Sequence, residues 1–227
     1  MTKQSFAKIT VLLIASVLTS CSGEDAIEPS HNASRNIITP IQNGTVRIGT
    51  QIWMTKNLNA NRYRNGDPIP QVIDSTQWAN LTTGAWCYYN NDLGNGRVYG
   101  KLYNWYAVND PRGLAPTGYH VPSDMEWTTL ITFLGGEIVA GNNMKATTGW
   151  DSYLGITNTN SSGFTGFPGG NCYYGTFYGF GWLGVWWSSV VNSTANAWMC
   201  YLYYNDGTAT MGYSNKTGGF SVRCLKD

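Results

Sequence analysis

The chain has 227 residues and a formal net charge of +1, with charged residues at only 12%, about half the usual share. So sparse and balanced a charge excludes the basic footprint of a nucleic-acid binder and the polybasic patch of a protein held to anionic lipid by charge. Aromatic residues make up 14%, with Trp 10 and Tyr 15, rings that can fill a core or present flat faces to a sugar.

Lys3 and Lys8 accompany an apolar run from Ile9 to Val17 that is too short to span a bilayer, the layout of an export signal. Leu18-Thr19-Ser20-Cys21 then reads as a lipobox, with small residues before a cysteine whose thiol takes the lipid, and several acyl chains make a firm anchor. The alternative is an ordinary secretory signal ending near Ser20. We expect residues 1–20 to be a lipoprotein signal peptide and Cys21 to be the lipidation site that holds the protein in the outer membrane. Glu24-Asp25 just behind it resembles the surface-export signal of some Gram-negative lipoproteins, so exposure at the cell surface is expected. Residues 21–44 carry few bulky apolar groups and cannot offset the entropy of ordering, so they read as a flexible tether. Residues 45–227 then suit one domain with a sizeable core.

Val46, Ile48, Ile52 and Met54 recur at even positions around Gly49-Thr50, predicting an opening strand with a bend and one buried face. Asp74 and Gln77 predict a capped short helix carrying Trp78 and Leu81 and closing near Gly84. Tyr99, Leu102, Tyr103 and Tyr106 have helical spacing and predict an aromatic-faced helix. Ser123 and Glu126 form a capping-box pair ahead of Trp127, Leu130, Ile131 and Leu134 at i, i+3, i+4 and i+7, with Gly135-Gly136 as the stop. Beyond Gly141 the chain turns rich in Gly, Asn, Ser and Thr, with short aromatic runs at Cys172 to Tyr174, Val185 to Trp187, Ala197 to Tyr204 and Phe220 to Leu225. These predict short antiparallel strands between long loops, with Asn205-Asp206-Gly207 as a hairpin turn. The expected fold class is α+β, with short helices packed on small twisted antiparallel sheets.

Six blocks stand out in order and spacing: Ile48-Gly49-Thr50-Gln51-Ile52-Trp53-Met54, Tyr99-Gly100-Lys101-Leu102-Tyr103-Asn104-Trp105-Tyr106, Gly118-Tyr119-His120-Val121-Pro122-Ser123-Asp124-Met125-Glu126-Trp127, Pro168-Gly169-Gly170, Trp186-Trp187-Ser188-Ser189 and Gly219-Phe220-Ser221-Val222-Arg223-Cys224. Over about residues 45 to 227 the sequence resembles the Fibrobacter succinogenes major paralogous domain, a family of mostly exported bacterial proteins related to the C-type-lectin-like fold. The resemblance implies a C-type-lectin-like domain and leaves the ligand unnamed.

Cys87, Cys172, Cys200 and Cys224 remain after processing at Cys21, and an exported context favours disulfides among them. No Cys-x-x-Cys spacing suggests a redox motif or zinc site. In related sequences the positions of Cys172 and Cys200 are often arginine, which implies that these two pair with each other. Cys87 and Cys224 are then paired together or remain buried thiols.

Enzyme chemistry finds little purchase. His31 falls in the tether, and His120 has no accompanying nucleophile and oxyanion motif. Asp67, Asp92, Asp110, Asp151 and Asp206 are scattered in turn-like contexts rather than paired across a cleft. Calcium-dependent lectins hold their ion with a Glu-Pro-Asn or Gln-Pro-Asp loop plus Trp-Asn-Asp; only Tyr204-Asn205-Asp206 echoes the latter, so no metal or cofactor is expected. Formylglycine-generating enzymes share the lectin-like fold and use a cysteine pair, which makes Cys172 and Cys200 the residues of an enzymatic alternative. Asp74-Ser75-Thr76 resembles a bacterial O-glycosylation acceptor.

The leading expectation is a non-catalytic domain that binds a glycan, with Tyr173, Tyr174, Tyr178, Trp182 and Asn192 as candidate ligand-binding residues: rings for sugar faces and an amide for hydroxyls. The alternative is a structural or adhesion module whose same aromatics form a hot-spot patch for a surface protein.

Overall fold

A computed structural model describes residues 38–41 and 44–227. Residues 1–37, which include the expected signal peptide, Cys21 and His31, lie outside the described residues. Among the described residues no helix is long and apolar enough to cross a membrane.

The domain opens with three short antiparallel strands: β1 (Ile38–Ile41), β2 (Thr45–Ile48) and β3 (Gln51–Met54). β1 lies inside the stretch read as tether; its isoleucines and threonine suit a strand, and it pairs along the length of β2. The even-numbered face predicted for the next stretch holds only as far as Ile48. Gly49-Thr50 is a tight turn with Gly49 at φ 60°, and Ile48 opposes Gln51 while Val46 opposes Trp53. Opposed residues share a face, so the buried parity switches from even to odd: Val46, Ile48 and Trp53 are buried, whereas Ile52 and Met54 are only half-buried.

α1 (Ser75–Ala79) starts where expected, with the Asp74 carboxylate accepting from Gln77 N at 2.7 Å. It ends early, at Asn80. The single aromatic helix expected around Tyr99 to Tyr106 is instead three elements: α2 (Leu93–Tyr99), a strand Leu102–Tyr103 and α3 (Trp105–Val108). The break is at Gly100, at φ 79°, where an added Cβ would lie 2.8 Å from Leu58 O. Asn104 then caps α3 by accepting from Ala107 N. The strand at Leu102–Tyr103 is β5, paired with β4 (Trp86–Cys87).

β6 (Tyr119–His120) leads into α4 (Asp124–Phe133), where the capping box is complete: Ser123 Oγ accepts from Glu126 N at 3.2 Å and Glu126 Oε2 accepts from Ser123 N at 2.8 Å. After the glycine stop a second helix, α5 (Glu137–Met144), follows at once; its sequence lacked a side-chain N-cap to announce it. The remaining strands are β7 (Gly169–Tyr173), β8 (Thr176–Phe180), β9 (Leu183–Val191), β10 (Asn196–Tyr203), β11 (Thr210–Asn215) and β12 (Leu225–Lys226). Between β10 and β11 the Asn205-Asp206-Gly207 segment is part of a wider loop, pinned by Asp206 Oδ1 accepting from Thr208 N and Oγ1. Gly207 serves a close approach there, since a Cβ would come within 2.8 Å of Asn142 Nδ2.

A five-stranded sheet in the order β1-β2-β3-β12-β6 brings the two ends of the domain together; a three-stranded sheet β11-β10-β9 and the ribbons β4-β5 and β7-β8 complete an α+β architecture. α4 lies between the two larger sheets. Its Trp127, Leu130 and Ile131 meet Val46, Ile48, Trp53 and Leu225 on one side and Trp186, Cys200 and Leu202 on the other. Arg223 is wholly buried beside β12 and spans the seam, donating to Asn57 Oδ1, Met54 O, Thr165 O and Phe164 O. Burial pushes its pKa down to about 9, so it remains charged at neutral pH.

Candidate functional site

Period two along β10 divides its side chains between two faces. Cys200 and Leu202 turn toward α4, and Met199, Tyr201 and Tyr203 face the other way. Cross-strand partners extend that second face: Val185 opposes Tyr201, Leu183 opposes Tyr203, and Gly212 opposes Met199. Gly212 keeps β11 low beside the rings, since an added Cβ would lie 3.1 Å from both Met199 Cε and Tyr201 Cε1. Beneath runs a floor in which Trp187 stacks on Phe220, with centroids 4.2 Å apart. Trp187 is fixed by donating to Tyr103 O at 2.8 Å.

β7 supplies the facing wall. Cys172 pairs across its ribbon with Phe177 and packs into a separate small cluster, while Asn171 and Tyr173 take the alternate face. The result is a groove of about 330 Å³ lined by Asn171, Tyr173, Tyr201, Tyr203, Ser214 and Phe220, among others. Ser214 Oγ and the Tyr173 hydroxyl are 3.5 Å apart, and Tyr201 meets Tyr203 edge-on at 5.3 Å. Burial raises the pKa of the Tyr203 phenol, helped by Tyr201 and Asp206, so it is neutral and able to donate. Asn171 Oδ1 is buried with no hydrogen-bond partner. A buried acceptor left empty costs about 1–3 kcal/mol, which makes this atom the site's most informative feature.

Of the residues predicted from sequence, Tyr173 lines the groove. Tyr174 packs edge-on against Tyr173 at 4.9 Å, and Trp182 stacks nearly parallel on Tyr203 at 6.0 Å, so both belong to the rim. Tyr178 opposes Asn171 across the β7–β8 ribbon and is exposed. Asn192 follows β9 at the end away from Leu183, bonded through its backbone to Asn196, and does not line the groove. Asn171, Met199, Tyr201, Tyr203 and Ser214 were not singled out; the alternation Met199-x-Tyr201-x-Tyr203 and Asn171-x-Tyr173 is the signal that could have found them.

The cysteines differ from expectation too. Cys172 and Cys200 lie in different clusters, and the cysteine that shares the cluster of Cys172 is Cys87. All four are buried thiols in the structure. His120 sits between two carboxylates, Nδ1 2.7 Å from Asp227 Oδ1 and Nε2 2.9 Å from Glu126 Oε1. This ties β6 and the C-terminus to the α4 cap. Among the described residues no group of three His, Cys, Asp or Glu could hold a metal ion.

The sequence model of the Fibrobacter succinogenes major domain matches residues 46–226. The chain belongs to that family. No curated protein and no solved structure matches it. The family's blocks fall mainly on scaffold in this chain: Gly100 at the α2 break, Trp186 donating to Asn57 Oδ1 at 2.8 Å, and Arg223 at the seam. The groove is walled mostly by residues between the blocks, Asn171, Tyr173, Tyr201 and Tyr203.

Proposed function

We infer that the protein is a lipid-anchored outer-membrane protein, exposed at the cell surface, whose C-type-lectin-like domain binds a glycan in the β7–β11 groove without catalysing a reaction. The anchor reading rests on Leu18 to Cys21 and the acidic pair behind it. The binding reading rests on one observation: Asn171, whose buried Oδ1 has no hydrogen-bond partner, lines the groove together with Tyr173, Tyr201 and Tyr203. A sugar supplies hydroxyls for the Asn171 amide and an apolar ring face for the tyrosines, while Ser214 and the phenols serve its other hydroxyls. A volume of about 330 Å³ falls at the small end of ligand sites, about 300–1,000 Å³, and suits one or two sugar rings.

The groove lining contains no carboxylate, so recognition through calcium has no ligand set there and binding is expected to be calcium-independent. A glycan-array screen of the full chain, with and without chelator, tests both points. Binding that survives chelation supports the reading; absence of glycan binding, or binding abolished by chelator, refutes it. A protein partner is favoured by a different observation, the exposed Tyr174, Tyr178 and Trp182 along the rim, which would serve as hot-spot anchors.

A further inference from the structure

Cys87 on β4 and Cys172 on β7 are far apart in sequence, yet both are 1% exposed and share one small cluster with Val72, Trp78, Ala85 and Leu102. Their meeting is built by the fold. Cys87 is placed by the β4–β5 pairing opposite Leu102, and Cys172 by the β7–β8 ribbon and a bridge to Gly219. Gly219 makes room for them, since a Cβ there would lie 3.0 Å from Cys172 Cβ and 2.7 Å from Trp78. The two thiols interact within that cluster. Cys200 and Cys224 belong to two other clusters, one each.

We propose that Cys87 and Cys172 are a modification site, oxidised to a disulfide that ties β7 to the β4–β5 ribbon. The oxidant is a protein disulfide of the cell envelope. The Cys87 thiolate attacks that disulfide, forming a mixed disulfide and releasing one partner thiolate. The Cys172 thiolate then attacks Cys87 Sγ, breaking the mixed bond and forming the internal one. The partner leaves as a dithiol, having taken two electrons from the cysteines and the two protons they gave up. Burial and the neighbouring thiol raise the Cys87 pKa well above its ordinary value, which leaves little reactive thiolate once the cluster has closed. The exchange therefore takes place during folding. Asn171 and Tyr173 flank Cys172 on the opposite face of β7, so the crosslink anchors the wall of the groove; its existence does not depend on what the groove binds.

Peptide mapping tests this directly. The full chain, with its own leader, is produced in a host with an oxidising envelope, and free thiols are alkylated in denaturant before any reductant is added. The reduced chain refolded in a glutathione redox buffer is mapped in parallel, which removes dependence on export. The expected map joins the Cys87 and Cys172 peptides and shows Cys200 and Cys224 alkylated. Alkylated Cys87 or Cys172 after refolding, or a link from either to Cys200 or Cys224, overturns the proposal. Reductant should lower the Tm of the oxidised protein by roughly 5–15 °C and leave that of a Cys87→Ala/Cys172→Ala variant unmoved. Should that variant not fold, the wild-type map decides.

Discussion

Asn171 Oδ1 is buried without a hydrogen-bond partner, as are Trp127 Nε1 in the core and three other side-chain atoms among the described residues; Asn171 differs from them in lining the groove. Replacing Asn171 with Ala is expected to raise stability by about 1 kcal/mol, because a desolvated acceptor disappears, and to weaken glycan binding at least roughly tenfold. Chemical denaturation measures the first effect; a loss of more than about 1 kcal/mol would show that the amide is bonded within the fold. His120 gives a second residue-scale prediction. Burial disfavours its charged form, but hydrogen bonds to Asp227 and Glu126 outweigh that and raise its pKa above 6.5. Its contribution is therefore fully present below that value and lost as pH rises through the folded pKa. Burial acts upward on Glu126, yet its bonds to Ser123 and His120 lower its pKa below 4.5, so its contribution is lost only as pH falls further. Stability from this clamp is greatest between those two ordinary values, and Tm should fall from pH 6 to pH 9 more in wild type than in His120→Gln. Parallel profiles for the two proteins would count against the clamp.

At the scale of elements, local signals were readable where a single side chain sets the backbone. Asp74 and Ser123 announced their helices, and both cap as expected. Ser123→Ala should cost about 1 kcal/mol, seen as a lower denaturation midpoint with unchanged cooperativity; an unmoved midpoint would mean the box contributes nothing. Signals failed where tertiary contact decided. The helical spacing of Tyr99 to Tyr106 was outweighed by Gly100 packing against Leu58 O, and the turn at Gly49-Thr50 reversed which side of β3 is buried. For Cys172 and Cys200, the expected pairing rested partly on both lying on aromatic strand runs, whereas the structure places the two in different clusters.

Across the whole molecule, the blocks that identify the family hold sheets, helix and termini in register, and Arg223 shows how. Its guanidinium joins β3, the Phe164-Thr165 loop and Asn57 with no carboxylate among its bonds. Arg223→Leu would strand several buried acceptors and should cost roughly 3 kcal/mol or more; a thermal melt shifted by only a degree or two would show that water replaces it. The fold class was legible because such scaffold residues sit in recognisable spacing. The groove was not, because its walls come from four strands brought together by register, and only Tyr173 among its lining was read from sequence as a ligand-binding candidate. Sugar binding in this groove, through Asn171 and its tyrosines, is the proposal on which the functional reading depends. Its most direct test is a calorimetric titration of the strongest array glycan into wild type and Asn171→Ala. The variant should keep its fold and show at least a roughly tenfold weaker Kd; equal affinity for both proteins would rule out recognition through Asn171.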